Sequence, residues 1–368
     1  MKKSLIRRIL GIFLYLLFNV CVVCAGVFIY IKWAEYTKHD IIPQLSDRKI
    51  IKRIFLRDDF IELSQIVMKN EQKGFSATYD FDEVILLSKD MFVNQEMFGV
   101  TKYKYHPNIG IYNVVVWSGL QGVEFAVPAT PEISRVIAKN KLFYYVYFKT
   151  DTNGFKKTEF PWHPDSYTIF FLGDSFTEGV WVTPKETFAN QVGVKLLEEN
   201  ISVTPINLGV DGYSALEMDW MLEHYASTFH PQIVVANLFP NDVHEDYFQV
   251  IKGTDIPEKN YEEMFYYLQR MEDFCERLNI KLVVSDVPVK EQFKELRGFY
   301  IFQNRVKKWC DTHGIINIDP YSYFDKIGRD SLYFSWDPHF SPRGHEVYAE
   351  FICHQIDTMI ISKKGSRK

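Results

Sequence analysis

Cysteine is scarce in this chain and poorly placed for chemistry. Of the 5 among 368 residues, Cys21 and Cys24 fall in an apolar run, where C-x-x-C spacing makes neither a zinc nor a redox site. Cys275, Cys310 and Cys353 fall in helix-like segments and read as small buried hydrophobes, and no disulfide among them can be deduced from spacing. Internal repeats and low-complexity linkers are also missing, which excludes a solenoid or array. No basic stripe interleaved with aromatics runs through the body. The net charge of −5 includes four positive charges in Met1–Arg8 and four more in the last six residues. Setting those eight aside leaves the body near about −13, which argues against a nucleic-acid partner.

The residues present are 47% hydrophobic and 24% charged, enough for a sizeable core, and the length suits one catalytic domain plus something smaller. A basic start (1–8) precedes an apolar run from Ile9 to Ile31, interrupted only by Asn19. As a helix that run would span about 34 Å, enough to cross a bilayer core. Cleavage of a signal peptide after Ala25 is the competing reading, but the run continues through Val27–Ile31, so an uncleaved transmembrane signal anchor (9–31) is expected. The basic start places the N-terminus in the cytoplasm and the catalytic part outside the cell membrane, with Lys32, Lys38 and the Arg48–Arg57 cluster weakening the asymmetry. Lys49 to Asn70 has helical spacing of apolar residues. The β-like runs 84–87, 111–117, 123–127 and 142–148 complete an accessory α+β region over 33–160.

From Ser166 onward the pattern alternates. Strand-like runs are Thr168–Leu172, Val203–Leu208, Gln232–Phe239, Lys281–Val287 and Ile315–Ile318. The helix-like segments are Phe188–Glu199, Ala215–Thr228, Glu258–Leu278, Lys290–Thr312 and Gly344–Ile361. Such alternation predicts a doubly wound, flavodoxin-like parallel sheet with helices on both faces, over 161–362, ahead of a basic tail at 363–368.

The residues able to do chemistry sit where those strands end. Gly173-Asp174-Ser175 follows the first strand, although all three residues are equally good turn formers. A serine hydroxyl needs a base, and the base an orienting partner. Both occur in the loop Trp336-Asp337-Pro338-His339-Phe340-Ser341-Pro342 before the last helix. Acyl transfer also needs donors for an oxyanion. The loops Asn207–Ser214 and Pro240–Val243 contain candidates in their glycines and in Asn241, but either loop also reads as an ordinary turn with a helix cap.

Taken in order, Gly-Asp-Ser, a glycine loop, Asn-Asp and Asp-x-His before a terminal helix resemble the SGNH (GDSL-type) hydrolase superfamily, from Gly154 to Phe351. Thr152-Asn153-Gly154-Phe155-Lys156 also resembles a lead-in seen in some bacterial members. The resemblance implies a serine ester hydrolase with Ser175 as nucleophile, His339 as base and Asp337 as its orienter. It implies an oxyanion hole made by the N–H groups of Ser175 and Gly212 (Gly209 the alternative) and the Asn241 side chain. No metal or organic cofactor is required. Two departures stand out. Asp337 lies two residues before His339, where Asp-x-x-His is commoner, and this resembles the branch containing envelope polysaccharide acetylation enzymes. Phe239 stands where block three usually has glycine. The expected substrate is an acyl ester, on an O-acetylated glycan or a lipid. An O-acyltransferase using the same residues and an inactive anchored binding protein are the alternatives.

Overall fold

The computed structural model describes residues 75–80, 83–88, 92–118, 121–139, 144–253, 256–293, 300–328 and 331–365. The expected transmembrane anchor, the helix over Lys49–Asn70 and the Cys21–Cys24 pair lie outside the described residues. Among the described residues no helix is long and apolar enough to cross a membrane.

The first part is strand-rich: β1 (Phe75–Asp80), β2 (Glu83–Ser88), β3 (Phe92–Met97), β4 (Val100–Tyr105), β5 (Gly110–Ser118) and β6 (Gln121–Pro128), then α1 (Pro131–Lys139) and β7 (Tyr144–Lys149). The catalytic half follows with β8 (Thr168–Leu172), α2 (Ser175–Glu178), α3 (Phe188–Glu198), β9 (Thr204–Asn207), α4 (Ala215–Phe229), β10 (Ile233–Leu238) and α5 (Tyr247–Lys252). It ends with α6 (Glu258–Leu278), β11 (Lys281–Asp286), α7 (Ile301–His313), β12 (Ile316–Ile318), α8 (Tyr321–Ile327) and α9 (Pro342–Gly365).

The five catalytic-half strands form one sheet in the order β12-β11-β10-β8-β9, parallel throughout. The central strands β8 and β10 are largely apolar runs because both their faces are covered. Phe170 and Leu172 of β8 join the core beneath α4, α6 and α7, while Ile169 and Phe171 join the core beneath α3, α8 and α9. Numbered within the sheet, the order is 2-1-3-4-5. The chain therefore leaves β8 toward one edge and returns to build β10 on its other side. At such a switch point the loops after the two strands part and leave a crevice. Ser175 follows β8 and Asn241 follows β10.

The expected strands and helices fall within a residue or two of these bounds, except that α9 runs four residues past the expected Ile361, to Gly365, and with one further correction. Lys290–Thr312 is not one helix. Lys290–Phe293 is a single 3-10 turn, and α7 starts only at Ile301. The Lys290 ammonium reaches the carbonyls of Phe334 (2.5 Å) and Asp337 (3.2 Å), pinning the loop that carries His339.

Before the catalytic half, β5 pairs with both β6 and β7 in an antiparallel sheet, and β3 and β4 form a separate hairpin turning at Phe98-Gly99. Both turn residues have positive φ, 49° and 85°, the geometry that matches strand twist in a two-residue loop. Strand β4 lies against the catalytic half. Lys102 pairs with Glu217 of α4 at 2.9 Å, Lys104 Nζ donates to the Tyr225 hydroxyl at 2.8 Å, and Tyr105 OH donates to Glu178 of α2 at 3.1 Å.

Candidate active site

Strand β8 can turn sharply into α2 because residue 173 is glycine. A Cβ there would overlap Thr177 Oγ1 and press on the Asn237 carbonyl. Asp174 then caps the short helix, its Oδ1 accepting the Phe176 N–H at 2.9 Å. Ser175 is thereby the first helical residue, whose N–H has no acceptor within the helix. Gly179 ends the turn in the left-handed region at φ 74°. Behind it, the buried ammonium of Lys156, lowered to about 8 by burial, bonds the carbonyls of Gly179 (2.5 Å) and Val182 (3.0 Å).

The loop carrying His339 folds back on itself. Phe334 N–H donates to the His339 carbonyl at 3.1 Å and Ser341 N–H to the Leu332 carbonyl at 2.9 Å. Gly344 is needed because any Cβ would collide with the Leu332 carbonyl. His345 beside it is buried, its Nδ1 accepting the Phe188 N–H at 3.2 Å, and burial depresses its basicity to about 3. It is a fixed neutral acceptor that anchors the start of α9.

This scaffold brings Ser175 together with the neighbouring pair Asp337 and His339, more than 160 residues further along the chain. Ser175 Oγ lies 2.7 Å from His339 Nε2, and His339 Nδ1 lies 2.6 Å from Asp337 Oδ1. Asp337 Oδ1 also accepts the backbone N–H of His339 at 2.8 Å. Ser175 and Asp337 are only 5% and 3% exposed. Burial pushes the Asp337 carboxyl up, but the adjacent His339 ring and N–H outweigh it, so the carboxyl is held below its ordinary range. The His339 ring rests against Phe176, centroids 4.7 Å apart, which fixes its plane.

The expected oxyanion donors border the same helix. Asn241 lies in a 3-10 turn after β10, its Nδ2 donating to Asp174 Oδ2 at 3.2 Å. In the glycine loop after β9, the Gly209 N–H is taken by Asn207 Oδ1 at 3.0 Å, and Asn207 Nδ2 holds the Thr177 carbonyl at 2.8 Å. Gly212 has φ +71°, and a Cβ there would meet only the Tyr103 hydroxyl, at 3.9 Å, so its surroundings are open. Of the two glycines, Gly212 is the one fitted to face a ligand. Its N–H also helps hold down the Asp211 carboxyl, which burial and Glu178 otherwise raise to about 6.

Sequence reading missed Glu178, whose buried carboxylate accepts from Tyr105 OH through Oε1 and from the Asp211 N–H (2.8 Å) through Oε2. An acid inside Gly-Asp-Ser-Phe-Thr-Glu-Gly, on a one-turn helix abutting apolar strands, was the available signal.

Burial also raises Asp174 and Asp219 to about 6. A carboxyl raised in the folded state contributes stability that is full below its unfolded value, about 3.9, and is lost as pH climbs through about 6. Moving from pH 7 to pH 5 should thus stabilise the fold by on the order of 1 kcal/mol for each of Asp174 and Asp211. Buried His345 works the other way, since only the unfolded imidazole takes up a proton by pH 5, so the expected rise in melting temperature at pH 5 is small. Calorimetry at the two pH values checks the sign.

Residues 171–347 match the family model described as GDSL-like Lipase/Acylhydrolase family. No curated protein matches the chain. Among solved structures, the chain is similar to the psychrotrophic esterase EstA from Pseudoalteromonas sp., at 15% identity, 53% of this chain and 98% of that one, with a TM-score of 0.43. It is also similar to an acetylxylan esterase from Geobacillus stearothermophilus, at 18% identity, 52% and 94% coverage and a TM-score of 0.39. A third similarity is to a member of the lipolytic protein G-D-S-L family from Veillonella parvula, at 19% identity, 52% and 98% coverage and a TM-score of 0.39. Residues 171–347, just under half of the chain, are thus similar to the GDSL-like lipase/acylhydrolase family, and that match supports a serine ester hydrolase.

Proposed function

We propose that the chain cleaves acyl esters with Ser175 as nucleophile, His339 as general base and then acid, and Asp337 as the group that orients the imidazole. The observation that carries this is the unbroken hydrogen-bonded line from Ser175 Oγ through the His339 ring to Asp337. With Nδ1–H donated to the carboxylate, Nε2 is left to accept the serine proton. Oγ then attacks the ester carbonyl, His339 returns the proton to the departing alcohol, and water repeats the sequence to release the acid. The oxyanion is held by the N–H groups of Ser175 and Gly212 and by Asn241 Nδ2. One hydrogen of that amide is bonded to Asp174, which sets the direction of the other.

The alcohol side of the ester is a glycan or a lipid. The half-buried rings of Tyr144, Phe334 and Trp336, packed against one another beside Asp337, favour the glycan, because aromatic clusters suit sugar rings. The apolar run Ile9–Ile31 supports a single-pass anchor holding the catalytic half outside the cytoplasm. The Asp-x-His spacing supports a second reading, transfer of the acyl group to a sugar hydroxyl. A fluorophosphonate probe is expected to label Ser175, and p-nitrophenyl acetate to be hydrolysed without an acceptor. Acetylated product formed only with an oligosaccharide present would favour transfer. An intact protein that takes no label would remove both readings.

A further inference from the structure

The Gly212 N–H belongs to the same peptide unit as the Asp211 carbonyl, and that carbonyl accepts a 2.8 Å hydrogen bond from the hydroxyl of Tyr103. Tyr103 lies on β4, outside the matched residues 171–347. A trans peptide is planar, with its C=O and N–H pointing in opposite directions. Holding the oxygen therefore aims the hydrogen.

The hold is needed because of the residue that follows. Glycine tolerates either sign of φ, so the 211–212 peptide plane could rotate at little conformational cost. A rotated plane would present the Asp211 carbonyl oxygen where the N–H had pointed, and an oxyanion would be repelled rather than bound. We infer that Tyr103 is a positioning residue for the oxyanion hole, locking the Gly212 N–H toward the reacting carbonyl from the accessory hairpin. This rests on the assignment of Gly212 as an oxyanion donor, with the substrate oxygen taking the place of the Asp211 carboxyl beside that N–H.

Three further contacts make the lock rigid. Tyr213 OH returns a hydrogen bond to the Tyr103 carbonyl at 2.8 Å, so hairpin and loop clasp each other. The Tyr103 ring meets Phe92 edge to face at 4.9 Å. On the other side of Asp211, its N–H is tied to Glu178, itself held by Tyr105. Burial, reinforced by the nearby Asp211 and Glu178 carboxylates, raises the Tyr103 phenol well above its ordinary value, so it stays a donor wherever the enzyme works. A hydrogen bond at the carbonyl also polarises the peptide and strengthens its N–H as a donor.

The test is Tyr103→Phe in the full-length chain, which removes one oxygen and keeps the ring. Loss of a whole oxyanion donor lowers kcat by about 10²–10³-fold. Misaiming one is expected to lower kcat for p-nitrophenyl acetate by about 10–100-fold, with KM within twofold and the melting temperature nearly unchanged. Tyr213→Phe breaks the reciprocal bond, which braces the hairpin but does not hold the Asp211 carbonyl, and is expected to lower kcat clearly less than Tyr103→Phe does. Comparable losses in both variants, or a Tyr103→Phe enzyme within twofold of an active parent, would overturn the inference alone. A parent without esterase activity would remove the assignment beneath it, and the inference too.

Discussion

Ser175→Ala is expected to lower kcat for p-nitrophenyl acetate by about 10⁴-fold or more, with little change in folding stability. The substitution removes the one oxygen placed 2.7 Å from His339 Nε2, so no covalent intermediate forms. Any residual rate reports what the oxyanion donors achieve on a water-mediated reaction. Mass spectrometry after fluorophosphonate treatment supplies an independent readout, since the variant should carry no adduct. A variant retaining more than a tenth of parental activity would show that another residue is the nucleophile.

Asp337→Asn is expected to cost about 10³–10⁴-fold in kcat while leaving the fold intact. The carboxylate receives two hydrogens at one oxygen, from the His339 backbone and from Nδ1. An amide is neutral, and if its NH₂ faces the ring, Nδ1 must become the acceptor. The ring proton then moves to Nε2, which can no longer take the Ser175 proton. Because the carboxyl is held below its ordinary range by His339, the parental enzyme should not lose Asp337 ionisation until strongly acid pH. A loss below tenfold, measured by steady-state kinetics on correctly folded protein, would mean that His339 is oriented by its packing on Phe176 alone.

Much of this site could be read before any coordinates. Thr168–Leu172 and Glu258–Leu278 have the bounds expected from apolar runs and periodicity, because strands buried on both faces and long amphipathic helices announce themselves locally. Ser175, Asp337 and His339 were legible because motif order and strand ends point to one sheet edge. The β3–β4 hairpin was not. Its Lys102, Tyr103, Lys104 and Tyr105 fall outside every expected strand, yet the Lys104 and Tyr105 side chains are buried and their polar tips end on partners more than seventy residues away. Long amphipathic side chains hide their destination, since the stem is apolar and the tip is satisfied only by tertiary contact. The role of Lys290 was hidden for the same reason, because its partners lie in a distant loop.

The Lys156 ammonium, seated under the carbonyls of Gly179 and Val182, bears on how this enzyme could be shortened. A fragment cut at the edge of the matched family segment would lose that cation, and the hairpin with it. Glu178 would keep the Asp211 N–H but lose the Tyr105 hydroxyl and the nearby cation, and the nucleophile's turn would lose its floor. Anyone seeking a minimal, secretable version should begin no later than Phe92.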